Sequence, residues 1–169
     1  MNITPICGGE KYQSDGPNGE YIGMPVRFPD LPQNIVVEGE TLTLKTELHV
    51  TLVYIGKIME KSNLIIPDFI QKVTADFCEF VKTTSIDVLQ YRDEFRLVAS
   101  GERKTVIRMC DVSNLDSFFD FINEKYGLRW ELPPMHVTLY TLQPNVGISL
   151  ADADDLEKLS RPITNPISA

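Results

Sequence analysis

The string His-Val-Thr-Leu occurs twice in this chain, at positions 49–52 and 136–139, and the two copies hold both of its histidines. Each copy sits in a β-branched, apolar setting, Leu48-His49-Val50-Thr51-Leu52-Val53-Tyr54 and Met135-His136-Val137-Thr138-Leu139-Tyr140, which reads as a strand. Side chains alternate along a strand, so His49 and Thr51 share one face while Val50 and Leu52 share the other. The same division separates His136 and Thr138 from Val137 and Leu139. A fold that sets the two strands close together therefore gathers two imidazoles and two hydroxyls above an apolar underside.

The remaining sequence frames that pair. A chain of 169 residues is read as one domain, 1–169, long enough to bury roughly two-thirds of its unfolded surface. Residues 1–24 are rich in turn formers and without periodicity, and are expected to form an irregular N-terminal arm. Short strands joined by a turn at Glu38-Gly39-Glu40 follow, then the first histidine strand, ending near Gly56. Ile66, Phe69, Ile70, Val73, Phe77, Phe80 and Val81 recur at helical spacing. Strands are expected near 85–91, 94–100 and 104–110, the last two joined around Ser100-Gly101. Ser113-Asn114-Leu115-Asp116 matches a capping box for a second helix that Gly127 ends. The second histidine strand and a short acidic helix over 152–159 complete the order. Strands and helices in this order predict an α+β protein with mainly antiparallel sheet. No glycine-rich phosphate loop occurs.

Net charge narrows the class. Twenty-four acidic against sixteen basic residues give −8, which disfavours a protein that grips long nucleic acid by its phosphates. A small nucleotide, or one RNA end held in a locally positive cleft, stays compatible. No apolar run is long enough for a membrane span. The opening MNITPICGGE has neither a basic nor an apolar leader segment. Cys7, Cys78 and Cys110 cannot all pair, and Cys78 and Cys110 read as small core residues. A cytoplasmic monomer is the expectation, with no cofactor and no metal, since neither HxxxH nor HExxH is present.

Two imidazoles with two hydroxyls suit phosphodiester chemistry. A histidine titrates near neutrality, so one can serve as base and its partner as acid. Threonine hydroxyls can donate to non-bridging phosphate oxygens, where charge builds in the transition state. The two apolar-His-apolar-Thr-apolar strings, Leu48–Leu52 and Met135–Leu139, resemble those of the two-histidine (2H) phosphoesterase superfamily, which includes 2'-5' RNA ligase-like and cyclic phosphodiesterase proteins. The resemblance implies a bilobal, pseudo-two-fold α+β fold, with two mainly antiparallel sheets around a central cleft and helices outside. It also implies metal-independent action on 2',3'-cyclic phosphates or related small cyclic or oligonucleotide phosphodiesters. His49 and His136 would be the catalytic acid/base pair, with Thr51 and Thr138 on the phosphate.

Strict alternation adds Tyr140 to the cleft face, where a base or sugar could stack on it, and turns Tyr54 toward the core. Arg96 and Arg108, flanked by apolar residues, are secondary candidates for substrate contacts. Three other readings compete: a non-catalytic nucleotide-binding module on the same fold, a 2'-5' RNA ligase, and an interaction domain whose HVTL strings are only packed strands.

Overall fold

A computed structural model of the chain describes residues 3–15, 20–63 and 65–167. The strands are β1 (Ile3–Ile6), β2 (Tyr12–Asp15), β3 (Ile22–Pro25), β4 (Asn34–Val37), β5 (Glu40–Leu44), β6 (His49–Val53), β7 (Val88–Ser100), β8 (Arg103–Val112), β9 (His136–Thr141) and β10 (Ser160–Ile163). The helices are α1 (Ile55–Ser62), α2 (Phe69–Val81), α3 (Leu115–Tyr126) and α4 (Ala153–Leu159). The architecture is α+β, with every described strand pair antiparallel.

The described strands form one sheet rather than the two expected. Its path runs β1-β2-β3-β6-β9-β8-β7-β10, and the β4–β5 hairpin joins through β5 and β9. The two histidine strands are the reason: β6 pairs with β9 through Val50 and Val137, and so closes what would otherwise be a gap.

Both strands then break their alternation at the same place. Ile22 and Gly23 on β3 oppose Val53 and Thr51, so β6 carries one extra residue, Leu52. Val106 and Ile107 on β8 oppose Tyr140 and Thr138, so β9 carries one extra residue, Leu139. A one-residue bulge exchanges the faces of every side chain beyond it.

Two cores hold the sheet. On one side α2 and α3 bring Phe69, Val73, Phe77, Phe118 and Ile122 against Val50, Leu52, Val137 and Leu139, whose side chains are wholly buried. Tyr12, Phe77 and Phe118 pack edge to face within this layer. A smaller cluster of Val98, Ile107, Met109, Ile148 and Leu150, flanked by Leu156 and Leu159, is covered by the segment leading into α4.

Several expectations shift. The N-terminal arm is ordered where it is described: β1 and β2 form a hairpin, and β2 and β3 extend it to β6 (residues 1, 2 and 16–19 lie outside the described residues). Gly8 and Gly9 lie in the connection between β1 and β2, and Tyr12, whose hydroxyl donates to the Ile86 carbonyl, anchors the hairpin. Cys78 is not a free core residue, because it is bridged to Cys7 and ties the hairpin to α2. Helix α1 was hidden by Gly56, which reads as a strand terminator. The strands expected near 85–91 and 94–100 are one strand, with an irregularity between Tyr91 and Phe95. The capping box at Ser113 does not form: Asn114 occupies the cap in a left-handed conformation, and the Ser113 hydroxyl instead accepts from the Asp87 amide. The turn at Glu38-Gly39 does form, with φ of 52° and 81°, the pair of positive values a two-residue hairpin loop requires.

Candidate active site

The β6–β9 register builds the site. With Val50 opposite Val137 in an antiparallel pair, one step either way sets His49 against Thr138 and Thr51 against His136. All four lie on the face turned away from α2 and α3. His49, Thr51 and Thr138 line a cleft of about 250 Å³, together with Tyr21, Lys45, Tyr54 and Asn145. His136 does not reach the cleft wall. It lies on the same face but is only 5% exposed.

The two imidazoles are held differently, each by the residue two places before it. His136 Nδ1 lies 2.7 Å from the Pro134 carbonyl oxygen. A carbonyl can only accept, so Nδ1 carries the proton and Nε2 of the neutral ring is left with its lone pair. Burial pushes this histidine down to about 4, against the pull of that carbonyl, and the neighbouring His49 and Lys45 add to the lowering.

His49 Nδ1 faces a carboxylate instead, 3.2 and 3.1 Å from the two oxygens of Glu47. Burial acts to raise the Glu47 carboxyl, but contacts from His49 and Gln13 and the charge on Lys45 outweigh it and hold the group at about 2. Gln13 Nε2 donates to Glu47 Oε1 at 3.0 Å, so the carboxylate is itself oriented from β2. Tyr21 stacks on His49 with ring centroids 5.0 Å apart and planes 10° from parallel. Burial leads the causes that raise the Tyr21 phenol to about 12, so it is a neutral wall. Gly23 leaves room for that ring: a Cβ there would lie 2.8 Å from Tyr21 Cε2.

The two tyrosines exchange the places expected of them. Tyr140 is wholly buried and its hydroxyl donates to the Pro32 carbonyl at 2.7 Å, so it is not a stacking platform. Tyr54 lines the cleft, with its hydroxyl beside Thr51 and the Leu150 backbone. The bulges at Leu52 and Leu139 cause both reversals, because each falls between the threonine and the tyrosine of its strand.

Neither secondary arginine reaches the cleft. Arg96 Nε donates to Ser160 on β10, and Arg108 Nε donates to the Arg92 carbonyl while its guanidinium lies over Tyr91 and Phe95. The cation in the cleft is Lys45, and burial lowers its ammonium from the usual lysine value while Glu47 opposes the shift.

Sequence reasoning missed Lys45, Glu47, Tyr21, Tyr54 and Asn145. For two of them a signal was present: Lys45, Glu47, His49 and Thr51 fall at every second position. Among the described residues, no group of three His, Cys, Asp or Glu is placed to hold a metal ion.

The antiparallel α+β sheet thus brings His49, Thr51 and Thr138 to one cleft and leaves His136 covered beside it on the same face. Comparison with family models, curated proteins and solved structures gives no match to the chain.

Proposed function

We propose that this chain is a metal-independent phosphodiesterase of the two-histidine kind, acting on 2',3'-cyclic phosphates or related small cyclic or oligonucleotide phosphodiesters. The observation that carries the reading is the register that sets His49 against Thr138 and Thr51 against His136. In this reading His136, neutral with Nε2 unprotonated, takes the proton from an attacking water. His49, backed by the Glu47 carboxylate, donates its proton to the departing ribose oxygen as the imidazolium partner. Thr51 and Thr138 donate to the non-bridging oxygens. Like-placed bulges and the mutual pairing of the motifs support the pseudo-two-fold, bilobal description as part of the same reading.

The test is turnover of nucleoside 2',3'-cyclic monophosphates, and of the same cyclic end on a short oligonucleotide, in EDTA. Hydrolysis by the wild type that is lost in His49→Ala and in His136→Ala supports the proposal. Turnover that EDTA abolishes, or that survives both substitutions, defeats it.

One observation favours a second reading, a nucleotide-binding module without catalysis: His136 is almost covered. Saturable nucleotide binding with no turnover would select it. A cytoplasmic monomer belongs to the main reading. No described helix is long and apolar enough to cross a membrane, whereas the Cys7–Cys78 bridge weighs against a reducing compartment. Thiol counting on freshly extracted protein decides that point.

A further inference from the structure

The Cys7–Cys78 bridge fastens the N-terminal hairpin to α2, on the side of the sheet away from the histidine cleft. β1 ends the sheet, and among the described strands it pairs with β2 alone. β2 in turn meets β3 only through Gln13–Gly23 and Ser14–Ile22. A two-stranded hairpin is marginal on its own, so side chains on the helix side must hold this one. Cys7, in the turn after β1, is bonded to Cys78. Tyr12 packs edge to face on Phe77, the neighbour of Cys78, and its hydroxyl bonds the Ile86 backbone. The Lys11–Asp87 ion pair is half-exposed and adds little.

The next residue along β2 faces the other way. Gln13 is buried, and its Nε2 donates to Glu47 Oε1 at 3.0 Å and lies 3.4 Å from the Tyr21 hydroxyl. Glu47 holds His49 Nδ1, and Tyr21 stacks on the same ring. Both supports of the His49 imidazole therefore meet one amide group carried by β2. A displacement of that strand by about 1 Å takes the Gln13–Glu47 contact out of hydrogen-bonding range.

The bridge is also open to reagents. Both cysteines are half-buried and line a hollow of about 170 Å³ together with Gly9, Lys11 and Lys82. A dithiol that enters breaks the S–S bond by thiolate attack. It is oxidised to its cyclic disulfide, and its two electrons and two protons leave Cys7 and Cys78 as thiols.

We propose that the Cys7–Cys78 bridge is a redox-sensitive positioning device for His49, which keeps Gln13 on Glu47 while oxidised and releases it when a dithiol reduces the bridge. Gln13 is the positioning residue through which the device acts. Its effect on rate rests on the phosphodiesterase reading, and the release of Gln13 does not.

The first readout is hydrogen exchange of the Gln13 side-chain amide at pH 7, followed by NMR on the full chain and identified by the signal's loss in Gln13→Leu. Reduction with dithiothreitol should speed that exchange at least ~10-fold, as loss of a hydrogen bond to a charged group does. The second is turnover of a nucleoside 2',3'-cyclic monophosphate, where reduction should lower kcat roughly 10-fold and leave KM little changed. Gln13→Leu should show the same fall and make kcat indifferent to dithiothreitol, because the two changes remove one interaction. Loss of the bridge also costs stability, so Cys7→Gly with Cys78→Val supplies a second unbridged chain at lower cost. Glycine suits the left-handed backbone at Cys7, where φ is 61°. Unchanged exchange at Gln13 in a folded reduced or unbridged chain overturns the proposal, whatever the rate does. So does a wild-type kcat in Gln13→Leu, or a fall on reduction as large in Gln13→Leu as in the wild type. A freed Gln13 in a chain that hydrolyses no phosphodiester defeats the phosphodiesterase reading and leaves the release standing.

Discussion

Val50 lies opposite Val137 across the antiparallel β6–β9 pair, and neither side chain is exposed. Their contact with the α2–α3 layer on one face fixes the imidazoles and hydroxyls on the other. The histidines are therefore set by a buried apolar pair rather than by loops. Alanine at either His49 or His136 should lower kcat/KM by on the order of 10²–10⁴ while the circular dichroism spectrum holds, and the double variant should be little worse than the poorer single. Thr51→Ala and Thr138→Ala should each cost on the order of 10–1,000-fold.

The burial of His136 makes stability depend on pH. Its histidine is at about 4 in the folded chain against an ordinary 6.5, so between those values the unfolded chain takes up a proton that the folded chain refuses. Stability is then intact above about 6.5 and falls as pH drops toward 4, by roughly 3 kcal/mol for this one group. Urea melts at pH 7 and pH 4 should show His136→Gln losing less on acidification than the wild type. A neutral His136 acting as base also keeps the acidic limb of the rate profile well below pH 6.5, and an acidic limb at or above that value contradicts the assignment.

Glu47 touches His49 but not the space where a phosphate would sit between the motifs. It is a positioning residue. Glu47→Gln keeps the shape and the link to Gln13 but removes the charge behind Nδ1. The expected result is a fall in kcat of about 10²-fold with KM little changed. An equal rise in KM would instead mean that Glu47 serves binding.

The exchanged tyrosines give a paired test. Tyr140→Phe leaves the Pro32 carbonyl without its buried donor, so it should cost about 1–3 kcal/mol of stability and leave KM unchanged. Tyr54→Phe alters the cleft wall beside Thr51 and should change KM or kcat several-fold. The opposite pattern would show that the strands follow simple alternation in solution.

The bridge between Cys7 and Cys78 closes a loop over a sequence separation of 71, worth about 4 kcal/mol by loss of chain entropy in the unfolded state. Cys7→Ser should lower the denaturation midpoint accordingly, and dithiothreitol should do the same to the wild type but not to the variant.

The sequence showed the strands of the motifs, their apolar underside and both histidines, because period-two alternation and a repeated string are local signals. It also showed α3 and its end at Gly127, where a left-handed glycine caps the helix. Tyr54 and Tyr140 went the wrong way because a bulge leaves no mark in the residues that form it: Leu52 and Leu139 are ordinary strand leucines. Tyr21 and Asn145 reach the cleft from β3's approach and from the chain beyond β9, and nothing in their local sequence indicates where the sheet will bring them. The Cys7–Cys78 bridge was illegible for the same reason, since it depends on β1–β2 packing against α2 rather than on spacing.

Between the Leu44–Tyr140 and Val50–Val137 pairs, the chain on the β5–β6 side takes six steps while β9 takes three. The surplus carries Lys45 and Glu47 and is fastened at both ends, the Lys45 amide donating to the Leu139 carbonyl and the Val26 amide donating to the Leu48 carbonyl. The charged half of the cleft is therefore fastened to the same framework that carries the histidines. Residues 45–48 can therefore vary in side chain, but a change in their length would break the backbone links at both ends.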